Sequence, residues 1–368
     1  MKEYRRIGDL VDLIDERNKD EKVKTLIGVS IDKCFIKSVA NTIGTDLSKY
    51  QVVRKFDFAC SLMQVSRDGK IPIACLKDYD EAIMSPAYYI FRIKNTEEIL
   101  PDYMAMWFMR PEFDREASYI AVGGVRGSMP WEDFCDMKLP VPDIKEQQKI
   151  VDTYNAITNR IRIKQKINEN LEKTAQAIYR KMFIEDADES WETVKLCNIS
   201  KMFAGGDKPE VFSEIETEKC NIPIYSNGLV NYGLYGFTDK PRVTEESITV
   251  SARGTIGFPC LRLEPYVPII RLISVIPNKE ITNAMYLYYF LKNTQIVSSG
   301  TTQQQLTVPE FGETKVSIPE KNKMSDFEQK VRILYLEIKS NEKEIASLNK
   351  MKYAIVSQIS KKKEEVIK

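Results

Sequence analysis

The sequence predicts an α+β protein: two mixed α/β domains related by pseudo-two-fold symmetry, joined by two long helices that pack as an antiparallel coiled coil. Three observations predict it. One block of sequence occurs twice, each copy leads into a heptad-patterned segment, and the 368 residues exceed the usual size of a single domain. Apolar residues make up 43 % and charged residues 29 %, values that suit packed cores in water.

An internal repeat sets the architecture. Gly123 to Pro142 reads GGVRGSMPWEDFCDMKLPVP and Gly300 to Pro319 reads GTTQQQLTVPEFGETKVSIP. They align without a gap at an offset of 177, with Phe311 over Phe134, Lys315 over Lys138 and Pro319 over Pro142. The same offset lays LNKMKYAIVSQI from Leu348 over LEKTAQAIYRKM from Leu171. Weaker echoes lie upstream: KLCNI (Lys195 to Ile199) resembles RIGDL (Arg6 to Leu10), and NAMYLYYF from Asn283 resembles DYMAMWFM from Asp102.

After Pro142 the period becomes helical. Ile150, Ile157, Lys164, Leu171 and Ile178 fall seven apart, with Tyr154, Ile161, Asn168, Ala175 and Met182 four residues further on. No proline or glycine interrupts Ile144 to Ile184. Val331, Ile338, Ile345, Lys352 and Ile359 repeat the pattern near the end of the chain, alongside Leu334, Asn341, Leu348 and Ile355. So narrow a seam needs a partner, and the simplest one is the other helix, running antiparallel. Asn168, Asn341, Lys164 and Lys352 would then cost stability and fix register. The domains are expected over residues 1–143 and 185–319, with helical spacers over 144–184 and 320–368.

Composition excludes much chemistry. Histidine is absent, which removes Ser-His-Asp and Cys-His catalysis and most transition-metal sites. The seven cysteines are scattered without a close pair, so reduced, mostly buried thiols are expected, with no disulfide framework and no bound metal. No leader or membrane-length apolar run is visible, and a cytoplasmic location is expected. Ser85-Pro86-Ala87-Tyr88 lacks the second proline of the amino-methyltransferase motif and no glycine-rich cofactor loop precedes it, while GGVRG lacks the spacing and lysine of a P-loop. The two helical segments carry about +9 of a whole-chain charge of +1, which suits an acidic partner or phosphates.

What remains is a surface fit for reading. VVRKFDFACSLMQVSRDGKIPIACL reads as two strands around a turn at Asp68-Gly69, and SITVSARGTIGFPCLRL as a hairpin with Arg253-Gly254 at its tip. Gln303, Gln304 and Gln305 follow a glycine-threonine run at the positions matched by Arg126, Gly127 and Ser128 in the first copy. Arginine and glutamine are the side chains that read guanine and adenine edges bidentately. Candidate nucleic-acid contacts are Arg67, Lys70, Arg126, Ser128, Tyr225, Asn227, Arg253, Thr255, Gln303, Gln304 and Gln305. The plainer alternative is a set of polar loop tips without a ligand.

LPVPDIKEQQKIV…LEKTAQAIYRKMF, VSIPEKNKMSDFEQKV…LNKMKYAIVSQI and the segments FDFACSLMQVSRDGKI and VSARGTIG together resemble the specificity subunit of type I restriction-modification enzymes. In the second copy Phe327-Glu328-Gln329 stands four residues from where Glu146-Gln147-Gln148 predicts it. The resemblance covers essentially the whole chain. It implies two target recognition domains, each over one half of a bipartite site in double-stranded DNA. It also implies helices that set the gap and dock two modification (methyltransferase) subunits, with restriction subunits completing the nuclease. Docking candidates on the helices are Gln147, Gln148, Lys173, Arg180, Gln329 and Lys350. The chain would be non-catalytic and bind no cofactor itself, with S-adenosylmethionine, ATP and Mg on the partners. A fused methyltransferase carrying its own catalysis, or a coiled-coil scaffold unrelated to DNA, are the alternatives.

Overall fold

The structure is a computed structural model and describes residues 3–38, 45–63, 65–123, 127–296 and 305–359. The chain divides into two compact units, residues 1–164 with 344–368, and residues 165–343. Each unit therefore holds one globular part together with a portion of each long helix.

In the first unit the elements run β1 (Glu3–Arg6), α1 (Ile7–Leu10), β2 (Val11–Ile14), β3 (Ile27–Val29), β4 (Phe35–Lys37), β5 (Gln51–Arg54), β6 (Phe58–Cys60), α2 (Val65–Asp68), β7 (Ile73–Cys75), β8 (Glu81–Met84) and β9 (Tyr89–Ile93). Then come α3 (Pro101–Phe108), α4 (Pro111–Ile120), α5 (Trp131–Asp136), β10 (Lys138–Val141) and the start of α6 (Ile144–Arg180). An antiparallel sheet in the order β2-β9-β6-β7 forms the floor. Its apolar face meets α3, α4 and α5 through an aromatic cluster in which Phe58 stacks on Phe91 at 5.2 Å, with Phe108 and Phe134 closing over them. Each fully buried ring contributes about 1.5–3 kcal/mol.

The strand-turn segment differs from its sequence reading. β5 and β6 are separate strands in separate sheets, because the chain turns at Phe56, whose φ is +69°. The expected pairing of β6 with β7 is present, but the helical turn α2 is inserted into the connection, and Gly69 ends it at φ +65°.

The second unit repeats the plan with β11 (Glu192–Lys195), α7 (Leu196–Ile199), β12 (Ser200–Ala204), β13 (Ile222–Tyr225), β14 (Leu234–Thr238), β15 (Ser247–Val250), β16 (Pro259–Arg262), β17 (Val267–Pro268), β18 (Ile273–Pro277), α8 (Ala284–Lys292), α9 (Val308–Gly312), β19 (Lys315–Ile318) and α10 (Lys321–Gln358). The sheet order β12-β18-β15-β16 reproduces the first, and β11 pairs with β19 as β1 pairs with β10. The hairpin expected around Arg253-Gly254 is formed by β15 and β16, with Gly254 at φ +70°.

Equivalent contacts recur atom for atom. Ile7 N–H donates to Met137 O at 2.8 Å and Leu196 N–H to Thr314 O at 2.9 Å. Tyr103 Oη donates to Pro140 O and Tyr286 Oη to Ser317 O. That last pair corrects the upstream alignment by two residues: Tyr103 answers to Tyr286, and α3 starts opposite α8 at Pro101 and Ala284.

Both long helices run antiparallel within each unit. In the first, Lys352 lies over the Tyr154 ring at 5.5 Å while Glu344 pairs with Arg160 at 2.5 Å and Lys164 at 3.0 Å. In the second, Asn341 Nδ2 donates to Asn168 Oδ1 at 2.8 Å, and Tyr179 meets Phe327 at 5.9 Å. The seam follows the heptads, with Ile161, Ala175, Val331, Ile338 and Leu348 buried. The two seam lysines are partnered at its edge, since their stems pack while their ammonium groups reach outward. After Arg180 the backbone loosens into a π-helical turn, Lys181–Glu185.

The close approach of α1 to α5 leaves room for one side chain, and the two copies fill it from opposite sides. A Cβ on Gly8 would lie 2.8 Å from Cys135 Cβ, and one on Gly312 would lie 3.1 Å from Cys197 Cβ. Gly8 corresponds to Cys197, and Cys135 to Gly312. Gly8→Ala is expected to destabilise the first unit by about 1–3 kcal/mol through overpacking, lowering its melting temperature by several degrees. Gly8→Ala with Cys135→Gly is expected to recover most of the loss in thermal unfolding. A double variant no more stable than the single one contradicts the shared-slot reading.

Candidate nucleic-acid interface

Each unit presents a loop cluster beside its four-stranded sheet, tethered in the same way. Met129 N–H donates to Leu62 O at 2.9 Å in the first unit, and Leu306 N–H donates to Ala252 O at 3.0 Å in the second. Met129 and Leu306 occupy matched repeat positions and are both buried. Each anchors the residue before it, Ser128 or Gln305, next to the loop that joins β6 to β7 or β15 to β16.

In the first unit that loop carries α2. Arg67 projects from it with its side chain 65 % exposed and its Nε 2.7 Å from Asp68 Oδ1, and Lys70 is also exposed. Gly127 sits directly against this turn at φ +74°, where a Cβ would come within 2.2 Å of Ser66 Oγ. The left-handed backbone at that position favours glycine. Arg67 and the Gly127-Ser128 segment are thus brought together. Arg126, Gln303 and Gln304 lie outside the described residues.

In the second unit Arg253, Thr255 and Gln305 share the β15–β16 end of the sheet, with Arg253 and Thr255 exposed. Arg253 Nη2 and Nε donate to Gln305 Oε1 at 3.0 and 3.3 Å. A residue absent from the sequence reading joins them: Arg271 Nη1 reaches the same oxygen at 3.5 Å. With its carbonyl so engaged, Gln305 offers only donors, whereas bidentate adenine reading needs both its donor and its acceptor. Among the described residues neither arginine has a carboxylate partner, so two guanidinium groups converge on one neutral oxygen.

Two candidates have structural roles instead. Asn227 Nδ2 donates to Ile270 O at 2.6 Å and its Oδ1 accepts from Ala252 N–H at 2.8 Å, clamping the Arg253 loop to the Arg271 turn. Tyr225 is 8 % exposed, lies under the Arg262 guanidinium at 3.4 Å and bonds Glu264 through its hydroxyl. It is therefore not presented to a ligand. Nearby, Tyr232 is held in the left-handed region (φ +55°), with its hydroxyl donating to Glu342 at 2.5 Å and Lys339 3.9 Å from its ring centroid. Burial and that carboxylate push the phenol above its usual value. Arg332 grips Glu246 with two bonds of 2.8 and 2.6 Å and holds its carboxyl below the usual carboxylate range.

On the helices Gln148, Lys173, Arg180, Gln329 and Lys350 are exposed. Gln148 bonds Asp152, and Arg180 pairs with Glu185. Gln147 is a correction to the docking set. It is fully buried, its Oε1 accepts from Leu100 N–H, and its Nε2 donates to Glu98 O and Pro142 O at 2.8 Å each. It fastens the start of α6 to the turn before α3. Among the described residues no group of three metal-ligating side chains occurs, and no helix is long and apolar enough to cross a membrane.

This duplicated frame with two unlike loop clusters matches a known class. The sequence profile described as Type I restriction modification DNA specificity domain matches residues 2–173 and 188–352. The chain belongs to that family and carries two copies of its domain. It is 29 % identical over 324 residues to a Mycoplasma pneumoniae protein assigned as a type I specificity subunit, covering 84 % of this chain and 85 % of the relative. It is 22 % identical over 316 residues to the specificity subunit of the type I restriction enzyme MjaIX from Methanocaldococcus jannaschii, covering 76 % and 69 %. Its fold is that of the S subunit of a type I restriction-modification system from M. genitalium, with a TM-score of 0.68 at 16 % identity over 98 % of this chain and 96 % of the other.

Gln147→Ala is expected to destabilise the first unit by about 1–3 kcal/mol, because it strands a buried amide donor and two carbonyls. Gln148→Ala is expected to leave thermal unfolding unchanged. Equal melting of the two variants contradicts the clamp assigned to Gln147.

Proposed function

We propose that the chain is the DNA-reading, non-catalytic subunit of a type I restriction-modification assembly. Each unit reads one half of a bipartite site in double-stranded DNA, and the helices set the gap and dock two modification subunits. The observation that carries this reading is the pair of matched tethers holding unlike residues. The copies agree in α1, α5, β10 and the helix seam and diverge at Ser128 and Gln305, as two readers of different short sequences would.

S-adenosylmethionine, ATP and Mg belong in this proposal to the modification and restriction subunits. The missing second proline in Ser85-Pro86-Ala87-Tyr88 and the lack of a glycine-rich cofactor loop before it favour this division over a fused methyltransferase. The basic helices suit contact with an acidic partner surface or with DNA phosphates.

Exchanging Trp191 to Val316 for the matching segment of a relative with a different target is expected to change one half-site and leave the other intact. The readout is the methylated sequence obtained with the modification subunit present. A change in both halves contradicts independent readers, and methylation by this chain alone contradicts the non-catalytic assignment.

A further inference from the structure

We propose that Arg271 is a specificity-determining residue, forming with Arg253 a donor fork that reads a guanine edge in the half-site of the second unit. The inference rests on the DNA-reading function above. Its starting point is backbone strain at two adjacent residues. Ile270 and Arg271 have φ values of +52° and +59°, and a β-branched residue there is a genuine outlier. Such strain persists only where surrounding structure enforces it.

The enforcement is visible. Ile270 N–H donates to Gly206 O and Arg271 N–H to Gly205 O, at 2.8 and 3.0 Å. A Cβ on Gly205 would lie 2.6 Å from Pro268 C and 2.7 Å from Ile269 N, so only glycine permits the approach. Asn227 holds Ile270 O from the other side and, through Ala252, the loop that carries Arg253. Two loops distant in sequence are thus locked so that two exposed arginines meet.

The meeting is electrostatically unfavourable on its own. Arg253 and Arg271 share one neutral acceptor, Gln305 Oε1, and among the described residues neither faces a carboxylate. Among the described residues Arg271 Nε and Nη2 and Arg253 Nη1 remain to donate, as does Gln305 Nε2. A surface of donors alone matches the O6 and N7 acceptors of guanine in the major groove and mismatches the mixed edge of adenine. A phosphate offers acceptors too, but carries no sequence information.

The test uses the full chain assembled with its modification subunit and selects bound duplexes from a randomised pool. Arg271→Asn suits the left-handed backbone, and Arg271→Lys keeps the charge without the planar fork. The expected result is loss of preference, about ten- to a hundredfold, at one guanine of one half-site with Arg271→Asn, and a smaller loss at the same guanine with Arg271→Lys, whose ammonium still donates to O6 and N7, with the other half-site and the melting temperature unchanged. Uniform weakening on every sequence with Arg271→Asn, restored by Arg271→Lys, identifies a phosphate contact and overturns the assignment. An unchanged motif in both variants also overturns it. A wild-type assembly that enriches no sequence overturns the DNA-reading function itself.

Discussion

One amide–amide hydrogen bond sets the register on which the second unit depends. Asn341 is fully buried and donates to Asn168 Oδ1 at 2.8 Å, among apolar seam residues such as Ala175, Val331 and Ile338. Apolar residues alone would tolerate a heptad slip, but a slip here strands the buried Asn341 amide, at a cost of about 1–3 kcal/mol, and parts it from the half-buried Asn168. Three links from α10 to the globular part rely on that register: Tyr335 to Leu261 O in β16, Arg332 to Glu246 just before β15, and Glu342 to Tyr232 just before β14. Moving α10 by a turn would break all three, and with them the anchoring of the β13–β14 tip.

Duplication explains why the frame is conservative and the readers are free. The slot between the short helices accepts one cysteine, and Gly8 with Cys135 in one copy becomes Cys197 with Gly312 in the other. Such compensation is expected where packing density, rather than residue identity, is what must be kept. The tethers at Met129 and Leu306 are backbone bonds, indifferent to the side chain before them. The frame can therefore hold a serine at one loop and a glutamine at the other at no structural cost.

The helices and the repeat were legible because their signal is periodic: Tyr154, Ile161, Ala175, Val331, Ile338 and Leu348 are buried as the heptads place them. The reader set was legible only in part. Gln147 reads as a surface residue, since nothing local reveals that three backbone groups converge on it. Tyr225 reads as a candidate contact, yet the Arg262 guanidinium covers its face. Arg271 was missed because VPIIRLISVIP reads as one strand-like run, while its left-handed turn is imposed by Gly205, Gly206 and Asn227, far away in sequence. Tertiary contacts override local pattern at these positions, which is where functional strain collects.

One duplicated frame carries two dissimilar readers. The most direct measurement is a map of methylated bases in DNA from cells containing this chain and its modification subunit. The account predicts one asymmetric, two-part motif with a fixed gap. A palindromic motif, or a single uninterrupted one, would contradict it.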